Sequence, residues 1–161
     1  MSITQELVKE LFDYRDGNLY WKNTKSNRVV KGSVAGGLCK KGYFRISINY
    51  KHYYNHRIIF LMFHGYLPKL IDHKDGNRLN NKIENLRQAT FAENLRNSKL
   101  RKNNTSGVKG VSWSKLHKKW RVAVMLNGDT YRLGLFKDLE LAQLVAEEAR
   151  NKYHKEFANH G

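Results

Sequence analysis

The chain has 161 residues with 30 Lys+Arg against 14 Asp+Glu, a formal charge of +16 and a pI near 10, which points to a polyanionic partner. Hydrophobic residues at 40% and aromatics at 12% exclude a disordered chain and suffice for one ordinary domain or two or three thin-cored ones. A single cysteine, Cys39, excludes an internal disulfide and a CxxC zinc knuckle and fits the cytoplasm; with no apolar run near ~20 residues and an amphipathic, acid-containing start, neither a membrane span nor an export leader is expected.

In chain order, Ser2 and Gln5 have capping-box spacing before Leu7, Val8, Leu11 and Phe12, which predicts a short N-terminal helix. Asp16-Gly17 reads as a turn, Asn18 to Lys22 as a strand and Lys31 to Gly42 as a loop. Alternation in Tyr43 to Ile48, followed by Tyr50 to Tyr54, predicts a hairpin with a basic, aromatic face. His56 to Gly65 (HRIIFLMFHG) predicts a short apolar helix stopped by Gly65 ahead of Pro68; His56 and Arg57 at its start read equally as DNA contacts or as packed, capping residues. Thr90 as N-cap with Glu93 three residues on predicts a helix to Lys99. The polar, basic stretch 98–107 reads as an interdomain linker. Beyond it, Val108 to Ser114, Lys119 to Leu126 and Thr130 to Phe136 predict three strands, the last two joined at Asn127-Gly128, a type I′ signal. Asp138 then caps a helix with Leu141, Ala142, Val145, Ala149 and Tyr153 on one side.

The chemistry concentrates in IDHKDGNRLNN (Ile71 to Asn81), Asn85-Leu86 and ENLRN (Glu93 to Asn97). Phosphodiester hydrolysis needs an activated water, charge neutralisation at the phosphate and help for the departing oxygen; one hard cation supplies the last two. A neutral imidazole near pH 7 takes a proton from water better than a carboxylate, which also repels phosphate, so His73 is the candidate general base. Asp72 and His73 are sequential and leave a strand on opposite faces unless it ends or bends there, and the KDGN residues favour such a turn. The segment resembles the HNH nuclease family, two short strands and a helix around one divalent cation, in its variant with Asn as the last residue, common among phage intron-encoded and free-standing nucleases.

The resemblance implies that Asp72 binds the metal, that Asn94 is the second ligand by its spacing from His73, and that Asn85 completes the catalytic set by holding the loop near His73. Asn97, three residues on along the same helical face, is the alternative ligand. Oxygen donors suit Mg²⁺ or Mn²⁺ better than Zn²⁺. Arg78, Lys82, Arg87 and Arg96, with Arg101 and Lys102 of the linker, are candidates for a phosphate track, surface solvation being the competing account of each. Asn77, Asn80 and Asn81 read as turn-forming residues.

The C-terminal segment resembles the apetala-two/ethylene-response-factor DNA-binding domain in Lys109-Gly110-Val111, Lys119-Trp120, Leu133-Gly134-Leu135-Phe136 and the helix that follows, although several DNA-contacting Arg and Trp positions of the plant domains are occupied differently here. Seven Lys/Arg and one acid between Gly107 and Lys137, against three and five in Asp138 to Gly161, place the sheet toward DNA and the helix behind it. Lys109, Trp113, Lys119, Arg121 and Arg132 are the candidate DNA contacts, and Trp120 is expected in the core. The expectation is thus an α+β protein: a ββα-metal nuclease half with a strand-helix lead-in (1–97), a basic linker (98–107), and a three-stranded sheet with one helix (108–161). It should act as a monomeric, homing-type endonuclease that nicks double-stranded DNA with one divalent metal, without a small-molecule substrate. The rival readings are a non-catalytic DNA-binding regulator and an RNA-binding protein that stacks bases on Tyr43, Tyr50, Tyr53 and Tyr54.

Overall fold

Helix α1 (Gln5–Leu11) starts at Thr4, whose hydroxyl accepts the Leu7 N–H; Ser2, the expected cap, lies outside the residues that the computed structural model describes, which are 3–24, 29–100, 102–126 and 128–160. Phe12, expected to extend the helix, instead opens strand β1 (Phe12–Arg15), which pairs antiparallel with β2 (Asn18–Trp21). The two residues between them, Asp16 (φ 45°) and Gly17 (φ 84°), are both left-handed, the conformation of a type I′ hairpin turn. The periodicity hides β1 because Leu11 and Phe12 continue the helical spacing, but a two-residue hairpin turn requires a strand on each side.

The stretch 31–42, expected as loop, contributes β3 (Gly37–Leu38), which pairs with β4 (Phe44–Ile48), itself paired with β5 (Lys51–Tyr54). Helix α2 (Asn55–His64) follows at once and ends at Gly65 in the left-handed region, as its sequence requires. Its Ile58, Ile59, Phe60, Leu61 and Met62 pack with Val8, Phe12, Leu19, Ile46, Ile48 and Leu86 into one core. Strands β6 (Leu70–His73) and β7 (Leu86–Ala89) form a separate antiparallel pair, and a 3₁₀ turn at Ile83–Asn85 leads into β7. The Tyr14 hydroxyl accepts the Ile83 N–H at 3.0 Å, tying the β1–β2 hairpin to the loop between β6 and β7.

The backbone divides into two compact units, Met1–Ala89 and Thr90–Gly161. The second opens with α3 (Phe91–Arg96) under a complete capping box: Thr90 accepts the Glu93 N–H and Glu93 returns to the Thr90 N–H. The expected linker forms no helix or strand among its described residues, yet it is locally ordered, since Asn104 and Ser106 bond the backbone at Gly107, Val108 and Val111. Strands β8 (Val111–Ser114), β9 (Lys119–Leu126) and β10 (Asp129–Phe136) form an antiparallel sheet in the order β10-β9-β8, followed by α4 (Leu139–His154), whose N-terminus Asp138 caps. Gly128 has φ 95° at the expected turn, while Asn127 lies outside the described residues.

On α4 the buried stripe is Ala142, Ala146 and Ala149, with Val145 partly covered, whereas Leu141 and Tyr153 are exposed. Small side chains let the helix approach Val111 and Val122 of the sheet, and the large apolar residues expected there point elsewhere. The protein is therefore α+β, with several small antiparallel sheets and four α-helices among the described residues. None of those helices is long and apolar enough to cross a membrane.

Candidate active site

Pairing with β7 places Asp72 opposite Arg87 and His73 opposite Leu86. Arg87 donates to the Asp72 carboxylate from Nε at 2.9 Å, with Nη2 at 2.8 Å from the same oxygen, Oδ2. Both side chains are largely buried, so this is a desolvated ion pair. Arg87, expected on a phosphate track, is instead the partner of the candidate metal carboxylate. His73 is the last residue of β6: the Gly76 N–H donates to its carbonyl and the chain turns away.

The loop after His73 is held by its own side chains. Asn85 accepts the Asp75 N–H on Oδ1 and donates from Nδ2 to both the Asp75 carboxylate and the Asn80 carbonyl, closing the loop on itself. Asp75 also accepts from the Asn77 N–H and from Asn80 Nδ2. Burial alone would raise the Asp75 carboxyl, but the bonds from Asn80, Asn77 and Asn85 hold it below the usual carboxylate value. The next residue along, Asn81, is buried and its Oδ1 lies 3.0 Å from His73 Nε2. Sequence alone makes Asn81 a turn-former; the signal for a further role is that the stretch 75–85 carries four asparagines, more than one chain reversal needs.

His73 also lies within a ring cluster. His56 meets it edge to face with centroids 5.1 Å apart, Tyr43 lies 6.2 Å away, and Tyr54 stacks on His56. Burial, with smaller contributions from His73 and Arg57, pushes the His56 imidazole down to about 3, so it is neutral at physiological pH. His56 is thus a core residue under the site, and Arg57 caps the Pro68 and Lys69 carbonyls. Arg78 donates to the Lys41 carbonyl and lies over the Tyr43 ring, and Lys82 pairs with Asp16 at 2.7 Å.

In the second unit, Asn94 is an exposed residue of α3 and Asn97 is buried at its end, accepting from Asn159. Lys109 departs from expectation: its ammonium donates to the carbonyls of Arg96 and Ser98 at the end of α3, where burial, and less so Arg150, lowers it to about 8. It holds the loop and is not presented as a surface cation. The cross-strand partner of Trp113 is Trp120, and the two rings meet edge to face at 4.9 Å; they share one face of the sheet, where Trp113 on the edge strand keeps 44% of its surface exposed. The opposite face carries Ser112, Arg121, Lys119 and Arg132, because Ser112 pairs with Arg121, Ser114 with Lys119 and Ala123 with Arg132. Lys102 is exposed and Arg96 half-buried, while Arg101 lies outside the described residues.

Among the described residues no three His, Cys, Asp or Glu side chains cluster to hold a metal by themselves. Nucleases of the HNH family generally use a divalent metal, and an oxygen donor such as the Asp72 carboxylate is chemically suited to a hard cation.

Comparison with known proteins adds independent weight. The HNH endonuclease family matches residues 53–96, from β5 through α3. Protein 3.8 of Escherichia phage T7 is 39% identical over 118 residues, covering 68% of this chain and 95% of that protein. An uncharacterized HNH endonuclease of Acanthamoeba polyphaga mimivirus is 31% identical over 102 residues, 60% of this chain but 28% of that longer relative. No solved structure matches the chain. With the Asp72-His73 pair at the end of one strand, the Asn85 clamp on the loop behind it and these relatives, the chain belongs to the HNH endonuclease family of phosphodiester hydrolases.

Proposed function

We propose that this protein is a metal-dependent DNA endonuclease of the phage homing type that nicks one strand per encounter. The observation that supports this best is the placement of His73 at the end of β6, bonded to Asn81 and flanked by the buried Asp72–Arg87 pair. In this reading the His73 imidazole takes a proton from water, the resulting hydroxide attacks phosphorus, and the 3′ oxygen leaves and is protonated from solvent. Asp72 would hold the divalent cation, and Asn94 would be the second ligand on its spacing from His73 in the chain. The bound cation would neutralise charge on the phosphate and ease departure of the leaving oxygen. Asn85 serves by fixing the loop behind the base.

The nuclease half in this proposal runs to Asn97, and the segment 108–161 is an apetala-two-like module whose face bearing Lys119, Arg121 and Arg132 meets the DNA backbone. A monomer with one site cuts one strand, so nicked circles and not linear DNA are the expected first product.

The test is to incubate supercoiled plasmid with the protein and Mg²⁺ or Mn²⁺, comparing wild type with His73→Ala and Asn94→Ala. Wild type should convert supercoiled to open-circular DNA, and His73→Ala should lose about 10²- to 10⁴-fold in rate, the usual contribution of a general base. Equal rates from all three would overturn the site; binding without nicking by wild type would favour the DNA-binding regulator.

A further inference from the structure

Asn81 has no part in the catalytic set as proposed, yet it is a polar residue that touches the candidate base directly. It is buried, with 3% of its surface exposed, and its Oδ1 lies 3.0 Å from His73 Nε2. An amide oxygen only accepts, so the shared proton belongs to the imidazole. In neutral His73 that places the proton on Nε2 and the basic lone pair on Nδ1.

Neighbouring rings also restrict the orientation of the imidazole. His56 presses edge to face on His73 at 5.1 Å and is itself only 7% exposed, with an Nδ1 that has no hydrogen-bond partner among the described residues. Its neutrality puts no second positive charge beside the base. Asn81 in turn is delivered by the Asn85 clamp: Asn85 Nδ2 bonds the Asn80 carbonyl at 2.7 Å, and the Asn81 N–H closes a tight turn onto the Leu79 carbonyl. The loop therefore has a clamp, Asn85, and a pointer, Asn81, which separates two functions that one asparagine would otherwise be asked to serve.

We propose that Asn81 is a positioning residue that selects the Nε2-protonated tautomer of His73 and thereby aims Nδ1 as the proton acceptor. The proposal rests on His73 being the general base. A base in the wrong tautomer presents an N–H where a lone pair is needed, so the cost falls on the chemical step and not on DNA binding.

The experiment compares wild type, Asn81→Leu, which keeps the shape but removes the acceptor, and Asn81→Asp, which restores an acceptor oxygen. Two readouts are taken on the intact protein: long-range ¹⁵N NMR of the His73 ring, and kcat and KM for plasmid nicking with Mg²⁺, with thermal denaturation as the folding control. Wild-type His73 should show a protonated Nε2. Asn81→Leu should show mixed tautomers and a kcat lower by about ten- to a hundredfold, part of what a general base contributes, with KM within about twofold; Asn81→Asp should recover most of both. A wild-type ring protonated on Nδ1, or a folded Asn81→Leu that keeps both tautomer and kcat, would overturn the proposal. If wild type shows the expected tautomer but nicks no DNA, the nuclease reading fails while the Asn81–His73 assignment stands, because the NMR arm decides it independently.

Discussion

The buried Asp72–Arg87 pair bears on stability directly and, in the proposed mechanism, on chemistry through Asp72. Two charges out of water are costly, and they persist because each satisfies the other at 2.8 Å. Removing one partner leaves the other buried and uncompensated, so Arg87→Ala should destabilise the protein by about 3–5 kcal/mol in urea denaturation. Asp72→Asn combined with Arg87→Met should recover much of that stability and still fail to nick DNA; a stable double variant with normal activity would show that the carboxylate is not needed for cleavage. His56 gives a pH test at the same scale. It stays neutral in the folded protein down to about pH 3, whereas the unfolded chain protonates it near its ordinary value of 6.5. Between these values the unfolded state binds more protons, so this contribution is fully present above the ordinary value and is lost as pH falls toward the folded one. Melting temperatures of wild type and His56→Phe, measured from neutral to about pH 4, should therefore converge as the wild type loses more, and parallel curves would contradict the assignment.

Among the elements, the β1–β2 hairpin matters more than its length suggests, because it buttresses the loop between β6 and β7. Tyr14 holds the Ile83 N–H, and Gly17 sits so close to the same segment that an added Cβ would lie 2.9 Å from the Lys82 nitrogen. Gly17 also needs φ 84°, which side chains other than glycine's seldom adopt. Gly17→Ala combines both penalties and should cost more than about 1 kcal/mol in denaturant unfolding. Its nicking rate should fall as well, since the displaced backbone leads into Asn81 and Asn85; an unchanged rate would mean that the loop is held without the hairpin. The capping box on α3 is the opposite kind of element, specified within four residues by Thr90 and Glu93 and independent of distant contacts.

Over the whole molecule the charge of +16 makes salt-sensitive binding to nucleic acid the expected background. What discriminates is which basic residues remain available to a phosphate. Arg87 and Lys109 are committed to internal partners, whereas Arg121 and Arg132 share the exposed face of the C-terminal sheet. Replacing both with Ala should weaken DNA binding and flatten the dependence of log affinity on log salt by about 0.9 for each phosphate that is no longer neutralised. The nicking rate at saturating DNA should be preserved. A normal salt slope in the double variant would move the DNA-binding face elsewhere.

Local signals are enough for much of this protein. The capping box at Thr90, the Gly65 stop of α2, the Asp138 cap, the three C-terminal strands and the Asp72-His73 motif are all set by neighbours a few residues apart, so they are legible without a fold. What the chain alone leaves open depends on partners distant in sequence. β1 is hidden because Leu11 and Phe12 fit a helix until the hairpin pairs Phe12 away, and the α4 stripe differs from expectation because only the packed sheet favours alanines over leucines where the two meet. The same holds at the site. That Arg87 neutralises Asp72, that Lys109 caps α3, that Trp113 shares the face of Trp120 and that Asn81 reaches His73 are consequences of strand register and loop closure. A sequence pattern states which donors and acceptors are present, but burial and pairing geometry decide which of them meet.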